Sequence, residues 1–291
     1  MADIQKAGEP VMASRIDVRL ASGLRLSALR DGRGRPLLMI PGWSQTAAEF
    51  GRNIGALAVG SDVIALDMRG HGLSDKPAQG YRIARLAHDL AEALDALGLD
   101  EVDLLGHSMG TSVIWSYLDL FGPARLRRLV LVDQAPCVIA KPGWDAAAQA
   151  KAGCLFPDPA TFGGFYQAVR ATTDVPGTMN LLRGMFTPGH SDADLAVIAA
   201  ENLQLPRAHA ADLLHDHCYL DWRDRIATIT LPTLVIGAEA SIFSAASQRW
   251  IAAQIPGGEV DIFEADQGGS HFMFHENPAR FNARVASFLA S

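Results

Sequence analysis

The sequence predicts an α/β fold: a doubly wound, mostly parallel sheet with a helical insertion between two of its strands. Short, nearly all-apolar runs recur with glycine or proline close behind them, at 37–42, 63–67, 102–106, 129–133, 231–237 and 260–263. Such runs are typical of strands that are buried on both faces. Segments of helical periodicity separate them, and this alternation indicates β-α-β units. The length of 291 residues suits one large domain or a domain with an insertion.

The chain is expected to enter this sheet through a hairpin. Residues 15–30 alternate polar and apolar side chains around Ala21-Ser22-Gly23, which predicts two antiparallel strands. A helix is then predicted from Ile83, because apolar residues recur at helical spacing as far as Leu97, and Gly98 is expected to end it. A last helix is predicted from Pro278, a residue favoured in the first helical turn, to about Ala290.

One interval, 136–225, breaks the alternation because it contains no predicted strand. We expect it to form a helical cap, with residues 1–135 and 226–291 forming the core. Open α/β sheets bind ligands at the carboxyl ends of their strands, so a cap there would cover the binding site; the alternative is a set of surface helices with no role in binding. Candidate substrate-contacting residues in the cap are Trp144, Phe162, Tyr166, Phe186 and His217.

Composition excludes several classes of function. The net charge of −7 argues against binding to nucleic acid or to anionic membranes, both of which favour an excess of Lys and Arg. No apolar run is long enough to span a bilayer, and residues 1–15 show no signal peptide. The three cysteines, Cys137, Cys154 and Cys218, are too few and too irregularly spaced for a disulfide framework or a zinc site. A cytoplasmic protein with no metal and no cofactor is therefore expected.

The stretch VDLLGHSMG at 102–110 carries the strongest chemical signal. Ser108 lies between Gly106 and Gly110, where a predicted strand turns into a predicted helix. Small neighbours let the chain reverse within a few residues, so the serine hydroxyl stands at the sheet edge beside a helix N-terminus that favours negative charge. Ser108 is therefore the candidate nucleophile.

A serine needs a base to take its proton, and nine histidines are available. His271 is the best candidate, because it lies in a glycine-containing loop after the last predicted strand and can reach the same sheet edge. His275, four residues later, is a poorer one. His71 follows a strand in a loop where a structural role is expected, and His107 cannot turn back onto the neighbouring Ser108.

Four motifs in order resemble those of the α/β-hydrolase fold over nearly the whole chain. They are PGWS at 41–44, DMRGHGLSD at 67–75, GHSMG at 106–110 and SHFMFHENP at 270–278. The resemblance implies an oxyanion hole made by the backbone N–H groups of Trp43 and Met109. The family usually has histidine where this chain has Pro41; the donor is a backbone group, so this departure is mild.

The acid of a Ser-His-Asp triad is missing from the place where the family usually has it. That place, after the strand 231–237, is occupied by Ala240. Asp133, at the end of the strand that follows the serine turn, and Glu239 are the two possible substitutes. Asp133 is preferred, because its strand is expected to neighbour that of Ser108 and some family members place their acid there.

These residues predict a serine hydrolase that cleaves an ester or lactone of a small hydrophobic substrate through an acyl-enzyme. Two alternatives stay open. Cofactor-independent dioxygenases that cleave N-heteroaromatic rings resemble this chain in having Gly-Trp at the oxyanion loop and Asp at position 133; in them the histidine deprotonates the substrate. Some hydrolase-fold proteins instead serve as small-molecule receptors. An epoxide hydrolase or haloalkane dehalogenase is disfavoured, because those enzymes have Asp in place of Ser108.

Overall fold

A computed structural model of the protein describes residues 13–291. The segment 1–15, on which the expectation about a signal peptide depends, lies largely outside them. None of the helices in the described part has the length and apolar character needed to cross a bilayer.

The described residues form one eight-stranded sheet with the strand order β1-β2-β4-β3-β5-β6-β7-β8. Strand β2 is antiparallel to both of its neighbours, and all the other pairs are parallel. The sheet confirms the predicted fold class, the hairpin and all six apolar runs. The strands are β1 Ser14–Arg19, β2 Arg25–Gly32, β3 Arg35–Ile40, β4 Ser61–Leu66, β5 Val102–His107, β6 Leu126–Val132, β7 Thr233–Ala238 and β8 Glu259–Phe263.

Helices cover both faces of the sheet, as a doubly wound architecture requires. The predicted helices at 83–97 and 278–290 are present, and Gly98 follows the first with a positive φ of 63°. The helices are α1 Ile54–Leu57, α2 Ile83–Ala96, α3 Met109–Phe121, α4 Ala146–Ala152, α5 Pro159–Ala171, α6 Val175–Leu182, α7 Asp192–Asn202, α8 Arg207–Cys218, α9 Arg223–Ile226, α10 Ala245–Gln254, α11 Met273–Glu276 and α12 Pro278–Ala290.

Two apolar layers lie on opposite faces of the sheet. Helices α2 and α3 pack on one face, where Trp115 and Leu90 are fully buried. Helices α11 and α12 pack on the other, where Phe274 and Phe281 are fully buried. Because β5 is paired on both sides by β3 and β6, its carboxyl end lies in the interior of the sheet, flanked by the ends of those two strands.

The segment between β6 and β7 contains the six helices α4 to α9 and no strand of the sheet, and we call its residues 136–225 the helical insertion. It contacts the loop that follows β3: the Nε1–H of Trp43 donates to the carbonyl of Ala210 at 2.7 Å, and the hydroxyl of Ser44 donates to the carbonyl of Asn202 at 2.7 Å. The insertion therefore lies over the carboxyl edge of the sheet. Its separation from the core as a functional cap stays a prediction.

Candidate active site

Ser108 occupies the sharp turn between β5 and α3. Its backbone has φ 50° and ψ −122°, a conformation that residues with a Cβ rarely adopt. A Cβ added to Gly106 would lie 2.6 Å from the backbone of Gly110, and a Cβ added to Gly110 would lie 2.2 Å from the carbonyl oxygen of Ile40 in β3. The two glycines are thus needed because β3, β5 and α3 approach one another at backbone distance. This packing holds the serine at the N-terminus of α3, where a developing negative charge is stabilised.

A matched pair of glycine substitutions tests this packing. Gly110→Ala is expected to lower the free energy of unfolding by about 1–3 kcal/mol, because the new methyl group must push β3 and α3 apart. Gly164→Ala, in α5, adds its methyl where no atom lies within 4 Å. It is expected to raise the free energy by about 0.5–1 kcal/mol, since alanine is the better helix former. Urea unfolding midpoints measure both; equal effects of the two changes would contradict the close approach.

The structure brings His271 and Asp133 together. His271 follows β8 on the loop before α11, and its Nδ1 lies 2.6 Å from Oδ2 of Asp133, which directly follows β6. The same carboxylate oxygen accepts a hydrogen bond from the hydroxyl of Ser241. When Asp133 is ionised its carboxylate can only accept, so Nδ1 then carries the hydrogen and Nε2 retains its lone pair.

Glu239, the other candidate acid, points elsewhere. Its side chain is exposed, and its Oε2 accepts from the backbone N–H of Ala265 at 3.2 Å. Asp133, by contrast, is fully buried and has a positive φ of 48°, so its backbone is held in an uncommon conformation beside the imidazole. The geometry therefore favours Asp133 as the partner of His271.

Burial acts against charge on both members of this pair. It raises the pKa of the Asp133 carboxyl, an effect that the hydrogen bond from Ser241 partly opposes. It lowers the pKa of His271 well below its ordinary value of 6.5, and the nearby His107 lowers it further. His271 is thus held in the neutral form that a general base requires.

Ser108 and His271 line the same cavity. Among residues 13–291, the imidazole of His271 makes its hydrogen bond to Asp133 through Nδ1. No hydrogen bond joins its Nε2 to Ser108. Bonds between a nucleophile and its base are often long in the absence of a ligand and shorten when substrate binds. Both residues are nearly enclosed, with 8% of Ser108 and 3% of His271 exposed.

The backbone N–H groups of Trp43 and Met109 are available for an oxyanion. Met109 begins α3, where the first N–H groups have no partner within the helix. Neither N–H donates to another described residue, although the neighbouring N–H groups of Gly42 and Ser44 both do. Trp43 and Ser108 line the cavity together, so the expected donors and nucleophile belong to one site.

His71 braces the loop after β3, in line with the structural role expected for it. Its Nδ1–H donates to the carbonyl of Arg69 at 2.9 Å, and its Nε2 accepts from the backbone N–H of Ser44 at 3.2 Å. Burial lowers the pKa of His71 to about 4, which keeps Nε2 free to accept. Ser44 itself has a positive φ of 58°, so this hydrogen bond holds a strained turn next to Trp43.

Sequence reasoning missed a buried pair behind the serine turn, Glu49 and His107. Nε2 of His107 lies 3.0 Å from the backbone carbonyl of His271, and Nδ1 lies 3.2 Å from Oε1 of Glu49. That carboxyl oxygen also accepts from the N–H of Gly42 at 3.1 Å. Since a carbonyl only accepts, Nε2 carries a hydrogen, and a further proton is required between Nδ1 and Glu49. The pair connects the oxyanion loop to the backbone of His271.

The cavity is small, about 50 Å³, and mostly apolar. Two polar side chains in its wall lack partners among the described residues: both amide atoms of Gln45 and Nδ1 of His217 are buried without a hydrogen bond. Buried polar groups of this kind are usually satisfied by a ligand or water. The apolar residues that line the cavity are Trp43, Val138, Leu155, Phe156, Phe165, Leu182, Met185, Leu214, Cys218, Ile242, Phe243 and Phe272.

Of the five residues that the sequence suggested for substrate contact, only His217 lines this cavity. Phe162 packs inside the insertion against Phe156, and Phe186 is stacked between His190 and Phe272.

Two of the five lie further away. The hydroxyl of Tyr166 donates a hydrogen bond to Asp212 near the surface. Trp144 lies under the guanidinium of Arg223, 4.5 Å from its ring centre, and lines a different pocket. Aromatic content showed where the insertion has a core, but the direction of each side chain depends on how α5 and α8 pack together.

Comparison with known proteins shows the family. A family model described as the alpha/beta hydrolase fold matches residues 35–278. The chain belongs to this family. Proteins similar to it include esterases, an enol-lactonase and a non-heme chloroperoxidase.

Three similar proteins illustrate the range of the family. The uncharacterized protein Rv2715 of Mycobacterium tuberculosis is 28% identical over 289 residues, covering 94% of this chain and 81% of that protein. The 3-oxoadipate enol-lactonase 2 of Acinetobacter baylyi is 27% identical over 231 residues, 78% of each chain. The solved structure of the esterase EaEST of Exiguobacterium antarcticum has a TM-score of 0.85 at 22% identity, covering 94% of this chain and 99% of its own. At that identity the likeness concerns the fold.

Proposed function

We propose that this hydrolase cleaves an ester or lactone of a small hydrophobic substrate through an acyl-enzyme on Ser108. The observation that carries this proposal is the 2.6 Å hydrogen bond between His271 and Asp133, at the wall of a cavity that Ser108 shares. It supplies what a serine requires, namely a neutral imidazole that is oriented by a buried carboxylate. The apolar cavity wall supports a hydrophobic substrate.

The proposed reaction uses these side chains in turn. Nε2 of His271 takes the proton of Ser108 Oγ as that oxygen attacks the carbonyl carbon, and Asp133 stabilises the imidazolium through Nδ1–H. The N–H groups of Trp43 and Met109 bind the oxyanion. Collapse of the tetrahedral intermediate breaks the acyl C–O bond, and the departing oxygen takes the proton from His271. The alcohol of an ester then leaves, whereas that of a lactone stays attached to the acyl chain. A water molecule, deprotonated in turn by His271, then hydrolyses the acyl-enzyme.

The cavity limits the acyl portion of the substrate. An engineered cavity of about 150 Å³ admits benzene, so 50 Å³ holds only a short acyl group unless the insertion opens. The unpartnered amide of Gln45 and Nδ1 of His217 favour a substrate with a polar group near the scissile bond. A small lactone or a short-chain ester has both properties, and the enol-lactonase relative acts on a substrate of this class.

Pre-steady-state kinetics with p-nitrophenyl acetate tests the proposal. We expect a burst of p-nitrophenol of about one equivalent per active site, followed by slower turnover, because release of the alcohol precedes hydrolysis of the acyl-enzyme. Oxygen uptake with a hydroxyquinolone, measured in parallel, is expected to be absent. Oxygen consumption without ester turnover would instead support the dioxygenase alternative, and saturable binding without turnover would support a receptor.

The pH dependence of kcat/KM gives a separate prediction. His271 must be neutral to accept the proton of Ser108, and its pKa is lowered by burial. Activity is therefore retained as the pH falls towards 6.5 and is lost only below it, when the imidazole becomes protonated. A profile of kcat/KM from pH 4 to pH 9 should place the acid limb below 6.5. An acid limb above pH 7 would contradict this prediction and would indicate that protonation of Asp133, whose pKa is raised by burial, limits the activity.

A further inference from the structure

A second cluster of chemically active side chains lies where the helical insertion meets the core, apart from the cavity. It contains His190, which precedes α7, Asp194 in the first turn of α7, and His275 in α11. One nitrogen or oxygen atom from each of the three lies within 4.8 Å of the others. Nε2 of His275 is 3.9 Å from Oδ2 of Asp194, and the two imidazole rings are 5.5 Å apart.

Both histidines present an unpaired nitrogen within this cluster. The Nε2 atoms of His190 and His275 are buried from solvent and have no hydrogen-bond partner among residues 13–291. An unpaired buried polar atom is unfavourable, and its presence in a native protein calls for an explanation such as an ion. Two imidazole nitrogens and one carboxylate oxygen form a donor set that suits zinc and neighbouring divalent transition metals.

The carboxylate is already held in place for this role. Arg52 donates to Oδ2 of Asp194 at 3.0 Å and to the backbone carbonyl of His275 at 3.0 Å. Arg52 therefore holds Asp194 beside His275. Among the described residues the Oδ1 atom of Asp194 makes no hydrogen bond and is available to a metal. Zinc bonds of about 2.1 Å place tetrahedral ligand atoms about 3.4 Å apart, so the three side chains must move together by about 1 Å. Because the three side chains are only partly buried, they can make this adjustment.

We propose that His190, Asp194 and His275 bind one divalent transition-metal ion, such as Zn²⁺, which joins the helical insertion to the core. Three protein ligands leave a fourth position for water. The site is coupled to the cavity by stacked rings: His190 lies 4.4 Å from Phe186, which lies 4.5 Å from Phe272, a cavity residue next to His271. The ion would thus restrain the contact between the helical insertion and the core beside the active site. This proposal does not depend on the reaction assigned to Ser108.

Zinc titration of protein without a histidine tag, freed of metal by a chelator, tests this site. Calorimetry is expected to show one Zn²⁺ per chain, and saturating Zn²⁺ should raise the melting temperature, because the ion binds only the folded state. His190→Ala and His275→Ala should each weaken binding by at least about tenfold, since even changes outside the ligand set reach that size. Circular dichroism checks that both variants fold; if His275→Ala does not, His190→Ala decides alone.

His88→Ala is the matched control, because His88 is exposed on α2 and packs edgewise on Phe121, away from the cluster. Its zinc affinity should equal that of the wild type. Co²⁺ provides a spectroscopic check: nitrogen and oxygen ligands give visible d–d bands without the thiolate charge-transfer absorption that Cys137 or Cys154 would add. No zinc binding by the wild type, or equal affinity in the wild type and both histidine variants, would overturn the proposal.

Discussion

Replacing Ser108 by alanine is expected to lower kcat for ester hydrolysis by roughly 10⁴-fold or more, because the only oxygen that can form the acyl-enzyme is removed. KM and the melting temperature should change little, since the side chain is small and makes no hydrogen bond within the described residues. Steady-state kinetics with p-nitrophenyl acetate and a thermal melt measure these quantities. Residual turnover would come from the oxyanion hole and binding alone.

Ser112→Ala is the matched control for this experiment. Ser112 is fully buried one turn further along α3, and its hydroxyl has no hydrogen-bond partner in residues 13–291. Its removal should leave kcat unchanged. A Ser108→Ala enzyme that kept most of its activity would contradict a serine nucleophile and would favour a reaction in which His271 acts directly on the substrate.

Asp133→Asn is expected to lower kcat by roughly 10⁴-fold with little change in shape. The amide cannot stabilise the imidazolium of His271, and its NH₂ group opposes the hydrogen on Nδ1, so the ring is driven to the wrong tautomer. The loss should be larger in kcat than in KM, because the carboxylate acts on the transition state rather than on substrate binding. Steady-state kinetics on ester substrates separate the two constants.

Glu239→Gln provides the matched control, since Glu239 was the competing candidate for the acid and its side chain is exposed. It should retain wild-type kcat. The reverse outcome, a large loss from Glu239→Gln and a small one from Asp133→Asn, would require the loop after β7 to move its carboxylate to His271 and would overturn the assignment of Asp133.

The sheet and the serine turn could be predicted from sequence because their determinants are local. Apolar runs mark strands buried on both faces, and Gly106 and Gly110 mark a place where backbones approach closely. The place of Asp133 could be predicted in the same way. The carboxyl ends of neighbouring parallel strands meet at one edge of the sheet, so a carboxylate after β6 must lie near the serine after β5.

The cavity wall and the supporting network could not be predicted in this way. Gln45, Glu49 and His107 act through contacts between segments that are distant in sequence, and no periodicity relates them. The helical insertion shows the same limit: α5 has its apolar residues at helical spacing, but its packing on α8 decided that Phe165 faces the cavity and Phe162 does not. The pair His190 and His275 is likewise joined only by the fold.

The most direct measurement is to locate the acyl group itself. The enzyme is mixed with p-nitrophenyl acetate, quenched in acid during steady-state turnover, digested and examined by mass spectrometry. We expect a single acetyl group on the peptide that contains Ser108, and none in the Ser108→Ala variant. Rapid turnover with no acetylated peptide, or an acetyl group carried by another side chain, would show that Ser108 is not the nucleophile.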